Sequence, residues 1–213
     1  MRINLLILLL STSFFAQTKI DSTFSIQFPT KPEKFEFSNK KEKGIAFYSN
    51  NEKDSFVVMR LVTENSETEF GKNLPNLKSL KKVYEKMIDV QIKEMRKKTF
   101  IFKDTTEIKI NDFIGYKVTY KDENSGNQNA ESILLFINGI NFIATYSKVS
   151  EFNNHNKRKF LNSIKIDTSN NPKQFNEPYD LNGNLFKLLL KGILVIGIFY
   201  LIWKYKKTTG NTV

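Results

Sequence analysis

Hydrophobic residues along the chain follow two rhythms. Over residues 23–28 they alternate, with Phe24, Ile26 and Phe28 on one side and Pro29 closing the run, which is the two-residue period of a half-buried strand. The same reading predicts strands at Phe35 and Phe37 and over 45–48, 55–62, 100–103, 106–110, 114–120, 132–137 and 140–147. Asn138-Gly139 joins the last two as a type I′ hairpin, because both residues tolerate positive φ. The other rhythm begins at Pro75 and Asn76. There Leu77, Leu80, Tyr84, Met87, Ile88 and Met95 share one face of a 3.6-residue wheel, predicting a surface helix packed on a sheet. Ser150 is read as the cap of a second helix running to about residue 164, with Phe152, Phe160 and Ile164 inward. Hairpins followed by single helices, without β-α-β alternation, predict an α+β fold in which helices pack on an antiparallel β-sheet.

Both ends of the chain depart from this pattern. Met1-Arg2-Ile3-Asn4, the apolar run 5–10 and the small residues that follow make a secretory signal peptide, too short to span a bilayer. The other end is longer: residues 185–203 would extend about 28 Å as a helix, near the thickness of a hydrocarbon core. Lys187 and Lys191 interrupt its outer half, and lysines towards one end of a span can snorkel to the headgroups. Phe199, Tyr200, Trp203 and Tyr205 supply an interfacial belt, followed by Lys204, Lys206 and Lys207, which the positive-inside rule keeps cytoplasmic. The expected order is a signal peptide at 1–17, an exported domain at 18–166, a linker at 167–182, one C-terminal transmembrane helix at 183–204 and a cytoplasmic tail at 205–213. Such a protein is a single-pass component of a bacterial inner membrane with its main domain in the periplasm.

The formal charge of +11 changes meaning in this light. Six basic residues lie in the terminal segments, so residues 18–180 hold 27 basic against 22 acidic side chains. Topology accounts for more than half of the excess, and nucleic acid is not an expected partner. What remains is concentrated on the first helix, where Lys78, Lys82, Lys86, Lys93, Arg96 and Lys97 gather opposite the apolar stripe. That face suits docking to an anionic surface; its alternative is a solvated face laced by Asp89–Lys93 and Glu94–Lys98 pairs. Lys187 and Lys191, four apart, would likewise suit an acidic partner on another membrane protein's helix, or simply snorkel.

Phe24-Ser25-Ile26-Gln27-Phe28-Pro29, the hairpins, the long helix, the second hairpin block and a closing Phe160-Leu161-Asn162-Ser163-Ile164 together resemble the PsbP-like family over residues 23–166. The resemblance implies a sheet sandwiched by helices and a non-catalytic accessory role. The C-terminal span departs from the family pattern, and no family site motif is present to carry over.

Chemistry is sparsely signalled. The chain has no cysteine and one histidine, His155, which excludes thiolate catalysis, thiolate metal sites and a two-histidine metal centre within one chain. Asp122-Glu123-Asn124-Ser125-Gly126 lacks the glycine and glutamate that an EF-hand loop needs at its sixth and twelfth positions. Glu64, Glu67 and Glu69 form an acidic loop cluster, and His155 lies in a polar stretch without a nucleophile pattern nearby. No cofactor is implied. The expectation is a membrane-anchored extracytoplasmic binding or accessory protein, a subunit of an envelope complex or a scaffold for a transporter. An envelope hydrolase whose carboxylates assemble only in the fold is the alternative, since such spacing is set by tertiary structure.

Overall fold

The computed structural model describes residues 17–38, 42–63 and 74–176. Among the described residues ten strands and two helices follow one another: β1 Gln17–Lys19, β2 Phe24–Gln27, β3 Glu33–Ser38, β4 Glu42–Asn50, β5 Asp54–Thr63, α1 Leu77–Arg96, β6 Phe100–Ile110, β7 Phe113–Asp122, β8 Gln128–Ile137, β9 Ile140–Lys148, α2 Asn154–Leu161 and β10 Lys165–Ile166. Seven strands form one antiparallel sheet in the order β3-β4-β5-β9-β8-β7-β6, and β1-β2-β10 form a small second sheet. The fold is α+β and mostly sheet.

Alternation along the strands builds two cores, one on each face of the large sheet. Phe56, Val58, Ile133, Leu135, Phe142 and Tyr146 pack against the small sheet and α2 through Phe24, Ile26, Phe28, Phe160 and Leu161. On the opposite face Leu134, Phe136, Val118 and Tyr120 meet α1 through Leu80, Tyr84, Met87 and Met95. α1 starts where the sequence suggests: the Asn76 side-chain oxygen accepts from the Ser79 N–H at 2.8 Å. The predicted stripe needs one correction. Leu77 is half exposed while Gln91 is buried, its amide 3.4 Å from the Ser132 hydroxyl on β8, which gives a polar side chain on the inward face a partner. The β8–β9 hairpin turns through Asn138 and Gly139 at φ 53° and 78°, as type I′ requires.

Other expectations are redrawn. The runs at 100–103 and 106–110 are one strand, β6, with a bulge between Phe102 and Asp104. Ser150 does not cap α2. Its N–H and that of Val149 are drawn to the Lys53 carbonyl, and Asn153 caps instead, accepting from the His155 and Asn156 N–H groups. The linker expected at 167–182 is not a free tether through its first ten residues. Pro172 and Gln174 are buried, and the Gln174 side chain bonds to both backbone groups of Ile114, the Phe136 carbonyl and the Tyr84 hydroxyl at 2.6–3.1 Å. Gln17, expected to end the signal peptide, sits in β1 opposite Gln27 and reaches the Ser163 carbonyl at 3.0 Å. The segments 1–16 and 183–204, with Lys187 and Lys191, lie outside the described residues. Among the described residues no helix is long and apolar enough to cross a membrane.

Candidate functional site

The outer face of α1 carries the basic residues that the wheel assembles there. Lys78, Lys82, Lys86, Lys93, Arg96 and Lys97 are all exposed, opposite the buried Leu80, Tyr84, Met87, Gln91 and Met95. The expected i,i+4 lacing is absent. Glu94 pairs three residues on, with Lys97 at 2.6 Å, and this pair is well exposed on both sides. Among the described residues the other five cations have no carboxylate partner. An exposed pair is worth little in water, so this face remains a field of cations rather than a neutralised lattice. No acidic residue occupies the helix's first turn, while Lys93 and Arg96 in its last turn complement the macrodipole.

A second basic feature lies on the other side of the large sheet. α2 covers only part of that face, leaving a groove of about 750 Å³ between the helix and the flank formed by β6, β7 and β8. Lys109, Lys117, Lys157 and Arg158 line it, with Glu131 as its one carboxylate. Glu131 is already engaged: its Oε2 accepts from Lys157 Nζ at 2.9 Å and from Gln128 Nε2 at 3.1 Å. The Lys157 ammonium also sits 5.4 Å from the centre of the Phe152 ring. A smaller cavity of about 140 Å³, between Phe28, Phe56, Phe160 and Asn156, holds no carboxylate in its lining.

No family model and no curated protein matches this chain. A solved structure from Bacteroides thetaiotaomicron VPI-5482 is similar at 13% sequence identity and a TM-score of 0.34, over 73% of this chain and 50% of that one. The chain therefore spans half the length of that protein.

Two of the remaining sequence candidates make local hydrogen bonds. His155 is exposed in the first turn of α2, where its N–H serves the Asn153 cap. The Asp122 carboxylate is occupied by the Asn124 and Ser125 N–H groups and the Ser125 hydroxyl, and these bonds hold its pKa below the usual carboxylate value. Glu64, Glu67 and Glu69 lie outside the described residues. Among the described residues no three His, Asp or Glu side chains come together as a metal site. The buried carboxylate Asp54 accepts from the Tyr146 hydroxyl and, at 2.6 Å, from Asn156 Nδ2, tying the β4–β5 turn to the start of α2.

The groove escaped notice in the sequence, although a signal was present. Lys157, Phe160, Leu161 and Ile164 stand at i, i+3, i+4 and i+7, which puts a lysine on the inward stripe of α2. Glu131 likewise shares the two-residue period of Ile133, Leu135 and Ile137, and Lys117 that of Phe113 and Gly115. Charges at positions that periodicity assigns to the interior are the mark of a polar site.

Proposed function

We propose that this chain is a membrane-anchored extracytoplasmic binding protein of the bacterial inner membrane, whose folded head engages anionic surfaces through α1. One observation carries the reading. Five exposed cations of α1 lack a carboxylate partner among the described residues, and they lie opposite the face that Leu80, Tyr84, Met87 and Met95 bury in the core, so they have no packing task. The accessory role implied by the PsbP-like resemblance agrees with this. The hydrolase alternative receives less support, because hydrolysis by paired carboxylates needs two acids facing one cleft and the groove presents a single one, already bonded to Lys157. The tether is shorter than the sequence suggests: with residues 167–176 packed on the head, only residues 177–182 precede the segment read as membrane-spanning, at most about 20 Å of extended chain. A head so closely leashed to its own membrane makes the phospholipid headgroups of that membrane the natural anionic surface.

The test is co-sedimentation of residues 17–176 with vesicles of phosphatidylglycerol and phosphatidylcholine. Both cores close within that stretch. Binding is expected at about 20 mM salt and release at about 500 mM, where the Debye length is only a few ångströms. Lys82→Glu combined with Lys86→Glu should abolish it. Vesicle binding that ignores both salt and this charge reversal would refute the reading.

A further inference from the structure

The groove beneath α2 has an electrostatic imbalance that the fold does not resolve. Its floor is built from β8 and β7, where Lys117 stands opposite Ile133 and Glu131 lies two residues along on the same face, so that Lys117 is a diagonal neighbour of Glu131. Glu131 nevertheless bonds to Lys157, which comes down from α2, and to Gln128. This leaves Lys117, half exposed, and Arg158 on the helix without a carboxylate partner among the described residues; Lys109, opposite Ile114 on β7, stands on the other face of the sheet at the groove's edge. Asn111 and Asn162 add neutral hydrogen-bonding groups to the rim. Ile133, Leu161 and Ile164 are already buried in the adjoining core and offer little free apolar surface. The cavity volume falls in the range of small-molecule sites.

We propose that this groove binds a small ligand bearing two or more closely spaced anionic groups, phosphate or carboxylate, clasped by Lys117 and Arg158 over the Lys157–Glu131 pair. The geometry suits this chemistry in three respects. Arg158 provides a planar fork that matches two oxygens of one phosphate or carboxylate. Lys117 approaches from the sheet side and Arg158 from the helix, so a ligand with two anionic groups can meet both walls. The internal pair neutralises Glu131, removing the charge that would otherwise repel an anion, and Gln128 keeps that carboxylate pinned away from Lys117. Neither the α1 face nor the membrane anchor is needed, so the groove stands or falls independently of the lipid-docking reading.

Titration of the full chain in nanodiscs of phosphatidylcholine, by isothermal calorimetry at about 20 mM salt, tests this. Inorganic pyrophosphate and citrate are the two probes, one for each source of anionic oxygen. Saturable one-to-one binding of either supports the site, and the preferred probe tells which chemistry it serves. Lys117→Gln with Arg158→Gln should weaken that binding about tenfold or more, since two charge-assisted contacts are lost. Neither side chain has a carboxylate partner among the described residues, so the urea midpoint of this variant should not move. Asn162→Asp, which keeps every cation but adds a carboxylate to the groove wall, should weaken binding as well. Lys53→Gln with Lys98→Gln makes the same charge change on exposed residues outside the groove and should leave the affinity unaltered. Absence of saturable binding for both probes, or equal weakening in the groove and control variants, overturns the proposal.

Discussion

Lys157 is a charge that folding has taken out of water, and its partner is equally enclosed: both side chains retain 11% of their surface. Removing such a charge from solvent costs several kcal/mol, offset only when the partner and further hydrogen bonds are in place, as Glu131, Gln128 and the Phe152 ring provide here. Loss of one member therefore strands the other. Lys157→Met is expected to destabilise the head by about 3–5 kcal/mol, while adding Glu131→Leu should recover most of it. Urea unfolding of the single and double variants decides the matter. If the double variant is no more stable than the single one, the cost lies in lost packing of the lysine stem and not in an uncompensated charge.

At the scale of elements, the segment after β10 behaves unlike the polar linker its composition suggests. The Asn138 N–H donates to the Lys173 carbonyl and the Asn138 side-chain oxygen accepts from the Lys173 N–H, and Asn176 reaches back to Pro75 and Leu74. Gln174 lies between, satisfying the Tyr84 hydroxyl of α1 and three backbone groups near the ends of β7 and β8. A buried polar group left without its partner costs about 1–3 kcal/mol. A chain ending at residue 176 should thus match the stability of a longer one, whereas ending it at residue 168, or making Gln174→Ala, should lower the thermal midpoint by several degrees, about 4 °C or more. Equal midpoints for the chains ending at 168 and 176 would show that this strap merely rests on the surface. Pro172 and four asparagines in 167–182 read locally as unstructured chain; only the carbonyls exposed at the sheet's end make Gln174 a necessary partner.

For the whole molecule, the two cores impose a shared pH dependence. Burial raises the pKa of Tyr84, Tyr120 and Tyr146 well above the ordinary tyrosine value, the last further helped by its bond to Asp54, and pushes Tyr116 up to about 12 with help from Glu107. Above about pH 10 the unfolded chain releases these protons while the folded one keeps them, so stability is fully present below that pH and is lost as pH rises through the folded-state values. Each tyrosine contributes up to about 1.4 kcal/mol per pH unit in that window. Urea midpoints should hold between pH 8 and 9.5 and fall steeply by pH 11.5. Tyr146→Phe should make that fall shallower; an unchanged slope would mean that its hydroxyl ionises in the folded state.

The strands, the α1 stripe and its basic outer face were legible in the chain because each depends on periodicity and local turn chemistry, which neighbouring residues set among themselves. Asn76 caps α1 through a neighbour three residues on, and Asn138-Gly139 turn the β8–β9 hairpin by their own positive φ. The sequence alone thus determined the class of fold and one charged face. Tertiary structure decided the rest. The pairing of Glu131 with Lys157, 26 residues apart, the docking of Gln174 on Tyr84, 90 apart, and the groove that α2 leaves open all arise from which element lies across which sheet face. Where long-range packing chooses the partner of a buried charge, no window along the chain contains the information.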